Sequence, residues 1–310
     1  MLNFFRTTLL LFSAFYLPAS ANPLPQQSAT EVPFTFEKGN VIVQAKIKGK
    51  MPVEVVLATG AEHSYVDAGL LDKYKLPRAY AGIPPVTGSP SDQIYFFSIV
   101  PDVSVGEAKA TSLSMHLGSM QELSNALGRE IFASLGADFF KGRVVRFDFQ
   151  KRVVTFLDPS SAKAERENLT GDDRDRTIVL KMLDGGGSAY RENILVPLVE
   201  GISFDGKKAK VVLNTGLVTV ITLSSSTAKK LGLTTPAEKS AATTDQIGSL
   251  KLGTYELTGV PVIIAAKGTN LDHSLGETGA VIGSVFLQNF VVTFDYRGKV
   301  VMLKRVSRDA

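Results

Sequence analysis

Two stretches of this 310-residue chain carry the same succession of signals, which limits the fold to something assembled from two related units. The first copy runs Val55-Val56-Leu57-Ala58-Thr59-Gly60 into a helix-like segment ending Tyr74-Lys75-Leu76-Pro77. The second runs Val211-Val212-Leu213-Asn214-Thr215-Gly216 into a similar segment ending Leu231-Gly232-Leu233. Further on, Ser134-Leu135-Gly136-Ala137-Asp138-Phe139-Phe140 and Val281-Ile282-Gly283-Ser284-Val285-Phe286-Leu287 each precede a closing strand pair. Those pairs are Val144 to Phe149 turning into Arg152 to Leu157, and Phe290 to Tyr296 turning into Lys299 to Leu303.

The residues between these landmarks read as strands. Val41 to Ile47, Val53 to Leu57, Val144 to Phe149 and Val153 to Phe156 are alternating or β-branched runs bounded by Gly, Pro and Asp. Helical spacing is brief and confined to Asp67–Tyr74, Gln121–Leu127 and Ser224–Leu231. The stretch from Asp158 to Arg176 is highly charged and almost without large apolar residues, as suits an exposed connection between the copies. The expected organisation is a signal peptide over 1–21, an extended arm over 22–31, a first lobe over 32–158, a charged linker over 159–176 and a second lobe over 177–310.

Composition removes several function classes. With no cysteine there is no disulfide framework, thiolate metal site, iron–sulfur cluster or cysteine nucleophile. A net charge of +4, with the basic residues in small groups, does not favour a nucleic-acid partner. Arg6, the apolar run Thr7 to Leu17, Pro18 and the small residues Ala19-Ser20-Ala21 read as an export signal. The run is about 11 residues, short of the roughly 20 that a spanning helix needs, so no stable membrane insertion is expected. The expected location is periplasmic or extracellular, where the sequon Asn168-Leu169-Thr170 matters only in a host that glycosylates exported proteins.

An apolar strand ending in X-Thr-Gly, followed by apolar-apolar-Gly before a short helix, resembles the pepsin/retropepsin-like aspartic peptidases, and here the likeness appears twice between about Val32 and Arg305. The resemblance implies a mainly β, two-lobed acid-protease β-barrel fold with an interlobe cleft. It also implies that one chain supplies both halves, so that a monomer suffices for a complete cleft. Thr59 and Thr215 match threonines that bond across the lobe interface in that family, and Gly60 and Gly216 match its tight-turn glycines. Gly136 and Gly283 match the small residues that let a second loop cross behind the turn. All six are expected to hold the lobes in register.

The family's reaction needs two aspartates that share a proton, one acting as base toward water and the other as acid toward the peptide carbonyl. The matching positions hold Ala58 and Asn214. Alanine has no polar side-chain atom, and a carboxamide cannot take a proton near neutral pH. Since members of such a unit act together, losing both removes the mechanism. The resemblance therefore implies the fold without the activity.

Other chemistry has weaker support. Glu62, four residues after Ala58, matches an acidic position that contacts substrate main chain in retroviral members; a solvated loop glutamate explains it equally well, and the second copy has Val218 there. His63 and Ser64 are adjacent, which rarely aims two side chains at each other, and no third member orients them. Asp138 reads as a cap for the short helix. His63, His116 and His273 lack metal-ligand spacing, so no metal or cofactor is expected. Gly185-Gly186-Gly187 lacks the end of a phosphate loop and reads as a hairpin tip or linker. Ala79–Gln93 and Ala266–Thr278 are the long irregular segments, expected to rim the cleft and set partner choice.

The leading expectation is thus an exported pseudopeptidase whose cleft binds an extended peptide or protein segment. The alternatives are an active hydrolase that uses other carboxylates and a structural or inhibitor-like protein without an open cleft.

Overall fold

A computed structural model describes residues 29–81, 95–184, 196–275 and 279–306. The expected signal peptide, most of the arm, the Gly185-Gly187 run and parts of both long loops lie outside these residues.

The chain is mainly β and forms two closed six-stranded barrels. Around the first, the strands Asn40–Ile47, Met51–Leu57, Ala133–Leu135, Tyr65–Asp67, Ala108–Gly118 and Tyr95–Val105 are hydrogen-bonded in that order, and Lys46 opposite Ser104 closes the ring. Around the second the order is Leu198–Phe204, Lys207–Asn214, Ala280–Gly283, Ile221–Leu223, Tyr255–Ile264 and Thr243–Leu252, closed by Ile202 opposite Leu252. Strand for strand, the two rings use the repeated motifs in the same order. Their inward positions are apolar: Ile47, Leu57, Val66, Val105, Met115 and Leu135 line one core, and Phe204, Leu213, Leu223, Leu250, Ile264 and Ile282 the other, all fully buried.

The barrels are joined by a sheet to which both copies contribute three strands, in the order Thr177–Lys181, Val300–Arg305, Phe290–Asp295, Val144–Asp148, Val153–Leu157 and Thr30–Glu37. At its centre Val144 pairs with Asp295, Arg146 with Thr293 and Asp148 with Val291. The two strands are matched segments of the repeat, VVRFD against VVTFD, that pair antiparallel with the equivalent residues Arg146 and Thr293 opposite each other, so the central pairing is the repeat meeting itself about a pseudo-two-fold axis. Val145, Phe147, Val292 and Phe294 bury one face completely, with Phe147 and Phe294 edge to face at 5.8 Å.

The charged connection is helical over Pro159–Glu167 and Gly171–Arg176. Asp158 accepts from the amides of Ser160 (2.9 Å) and Ser161 (3.3 Å), Pro159 occupies the first turn, and Arg166 pairs with Asp295 at 3.4 Å. A segment with one buried side chain, Ala162, thus folds by capping and ion pairs rather than by an apolar stripe. The expected Asp67–Tyr74 helix is instead a single 3-10 turn, Ala68–Leu70, capped by Asp67 Oδ1, which accepts from the Gly69 amide at 2.8 Å. The other two expected helices form at Gln121–Leu127 and Ser225–Leu231. No helix among the described residues is long and apolar enough to cross a membrane.

Candidate functional site: the paired Thr-Gly turns

Each barrel carries its Thr-Gly turn in the same topological slot. The strand entering the turn runs parallel to a central strand, Leu57 beside Leu135 and Asn214 beside Gly283, and the strand leaving it returns antiparallel on the other side, Tyr65 against Ser134 and Thr222 against Val281. The loop therefore passes around the end of the central strand, where the chain must come close behind it. A Cβ on Gly136 would lie 2.5 Å from His63 O, and one on Gly283 2.4 Å from both Leu217 O and Thr219 O. Only glycine permits that approach.

The two turns face each other and are tied by reciprocal bonds. Thr59 Oγ1 donates to Leu213 O at 3.0 Å and accepts from Thr215 N at 3.0 Å. Thr215 Oγ1 donates to Leu57 O at 2.7 Å and accepts from Thr59 N at 3.2 Å. Both threonines are fully buried, so each hydroxyl satisfies a donor and an acceptor that water cannot reach. Gly60 and Gly216 pack into this contact: a Cβ on Gly216 would be 2.4 Å from Ala58 Cβ, and one on Gly60 2.5 Å from Asn214 Cβ. The structure thus brings Thr59, Gly60, Thr215 and Gly216 together around Ala58 and Asn214, with Gly136 and Gly283 behind.

Asn214 accounts for the amides that this contact leaves over. Its Oδ1 accepts from Gly216 N at 2.8 Å and from Gly60 N at 3.2 Å, so one side-chain oxygen serves a glycine from each turn. Ala58 is buried and has only a methyl group for a side chain. No carboxylate stands at either position.

The carboxylate that does lie close behind the first turn is differently employed. Asp138 does serve the short helix Ala137–Phe140 as expected, its Oδ1 accepting from the first-turn amide of Phe139 at 2.8 Å, although the cap position itself is Gly136. The same carboxylate reaches further: Oδ1 also accepts from Ser64 Oγ (2.6 Å) and Oδ2 from Ser64 N (2.8 Å). Ser64 Oγ in turn accepts from Gly136 N at 2.9 Å. Burial pushes the Asp138 carboxyl up from its usual range, although these hydrogen bonds pull the other way. Ser64 is fully buried with its hydroxyl committed, which closes the Ser-His nucleophile reading.

Glu62 lies beside its neighbour, with Oε1 3.8 Å from His63 Nε2, and His63 stacks on His116 at 4.4 Å. Val218 is 43% exposed and packs against Gly39, where an added Cβ would lie 2.3 Å from Val218 Cγ1. His63 and His116 come together, but no group of three or more His, Asp and Glu suited to a metal occurs among the described residues.

Reading the copies one at a time misses the Ser64–Asp138 link and Tyr296, whose buried hydroxyl donates to Thr59 O at 3.3 Å. The signal lies in comparison: Asp138 aligns with Val285 and Tyr296 with Phe149, so polar residues stand where the other copy is apolar. The chain matches no family model and no curated protein.

Proposed function

We propose that this chain is an exported, catalytically inactive relative of the pepsin/retropepsin-like aspartic peptidases, and that it binds an extended peptide or protein segment between its two barrels. One observation carries this reading. The reciprocal Thr59–Thr215 bonds tie together the two turns that carry Ala58 and Asn214, the positions that match the family's two acids. That coupling supports a scaffold of the family's kind without its catalytic pair. Neither side chain accepts a proton from water near neutral pH, and Asp138 is occupied by Ser64. An extended segment suits such a site because its main chain can add to strand edges while alternate side chains enter pockets, and neither contact requires chemistry.

The test is proteolysis of an unfolded protein substrate by the purified chain from pH 3 to 8. The expected result is no cleavage at any pH. Cleavage that co-purifies with the chain and is stopped by a statine-type inhibitor overturns the proposal in favour of a hydrolase.

A further inference from the structure

Asn214 is held in one orientation. Both groups facing its side-chain oxygen, Gly60 N and Gly216 N, are backbone amides that only donate. Reversing the carboxamide would set two donors against an NH2 group, so the hydrogen-bond network fixes which end is oxygen. Nδ2 then projects away from the glycines. It has no protein acceptor among the described residues, and it is not among their buried unpartnered side-chain atoms, which are Ser98 Oγ and Thr177 Oγ1. Asn214 is half-buried, so its N–H donors are left over, and not sealed off, at the meeting point of the two turns.

We infer that Asn214 is a ligand-binding residue whose Nδ2 donates a hydrogen bond to a main-chain carbonyl oxygen of the segment lying between the barrels. This rests on the peptide-binding reading above and adds the chemistry at its centre. A pair of acids would hold a water between them; Asn214, beside a buried alanine that contributes no polar atom, instead offers a neutral donor, which fits an amide carbonyl. Turning the donor away would break both glycine bonds, so it is set in place before the ligand arrives and little ordering is lost on binding.

The experiment begins with nonapeptides selected from a random display library by the full chain at pH 7. Asn214→Asp keeps an acceptor for Gly60 N and Gly216 N and exchanges only the donor for an acceptor. The selected peptides should bind this variant about ten-fold more weakly at pH 7. Affinity should return as the pH falls through the introduced carboxyl's pKa and the group becomes a donor. A second measurement locates the contact on the ligand: each peptide bond of the best peptide is replaced in turn by a trans-alkene, which keeps the shape and removes the carbonyl together with the N–H, so that only the comparison with Asn214→Asp assigns a loss to the carbonyl. One position should lose about ten-fold against the wild-type chain, and that loss should vanish against Asn214→Asp. Equal binding to wild type and variant, or an alkene scan with no sensitive position, overturns this inference and leaves peptide binding standing. Failure of the wild-type chain to select any peptide overturns both.

Discussion

The two Thr-Gly turns occupy matched places in matched barrels, yet they are braced from behind by different chemistry. In the first barrel the glycine amide at the crossing, Gly136 N, is received by the Ser64 hydroxyl, which donates onward to a buried carboxylate. In the second, Gly283 N is received by the Val220 carbonyl at 3.0 Å, and the next residue, Ile221, is part of the apolar core. The carbonyl can serve because the second loop is one residue longer: Tyr65 pairs with Ser134 seven residues after Ala58, whereas Thr222 pairs with the matching Val281 eight residues after Asn214. The same contrast recurs outside the turns, where Tyr296 OH bonds Thr59 O and its counterpart Phe149 packs against Phe34 and Phe36. The topology demands an acceptor behind each turn and a glycine at each crossing. It does not demand how the acceptor is supplied.

That comparison can be broken at three levels. The largest effect belongs to what the turns share. Thr59→Val and Thr215→Val each strip a buried hydroxyl from one carbonyl and one amide, and each should cost about 3 kcal/mol in urea unfolding. The two losses should be far from additive, because either substitution also removes a partner of the other turn. Independent, additive losses would mean that the turns are not coupled.

Smaller and one-sided is the brace. Asp138→Asn sets an NH2 group against Ser64 N and should cost about 2 kcal/mol, whereas Val285→Ala in the second barrel should follow ordinary side-chain truncation of about 1–2 kcal/mol with no pH dependence. Burial raises the Asp138 pKa in the folded state, so the folded chain holds this proton more tightly than the unfolded one. Its contribution is then fully present below the ordinary carboxyl value near ~3.9 and declines as pH rises through the raised value. The stability difference between wild type and Asp138→Asn should therefore narrow with rising pH across that window; a constant or widening gap contradicts the assignment. The smallest change is Tyr296→Phe, which makes the two copies alike at one position and should cost about 1 kcal/mol, read from the shift in unfolding midpoint.

Much of the fold was legible because it is written twice. Strand patterns at 41–47, 53–57, 144–149 and 153–156 agree with the observed strands to within a few residues, since the first two bury a face in the first barrel and the last two a face of the joining sheet. The linker helix was not legible, because capping and ion pairs leave no apolar period to read. Neither was the Asp138 contact, which joins residues 64 and 138 across two strands and depends on the loop length between them. At the centre, the repeat marks Ala58 and Asn214 by position, but the service of one carboxamide oxygen to both turns is geometry that no spacing reveals.

The central claim is that the turns are set for an acid pair they do not contain, and restoring that pair tests it most directly. The double variant Ala58→Asp with Asn214→Asp should fold and cleave an unfolded protein substrate at acid pH, with cleavage stopped by a statine-type inhibitor and absent from the wild-type chain. A double variant that is folded and inert across pH 3 to 8 would contradict the account, because the two positions would then not meet as a catalytic pair must.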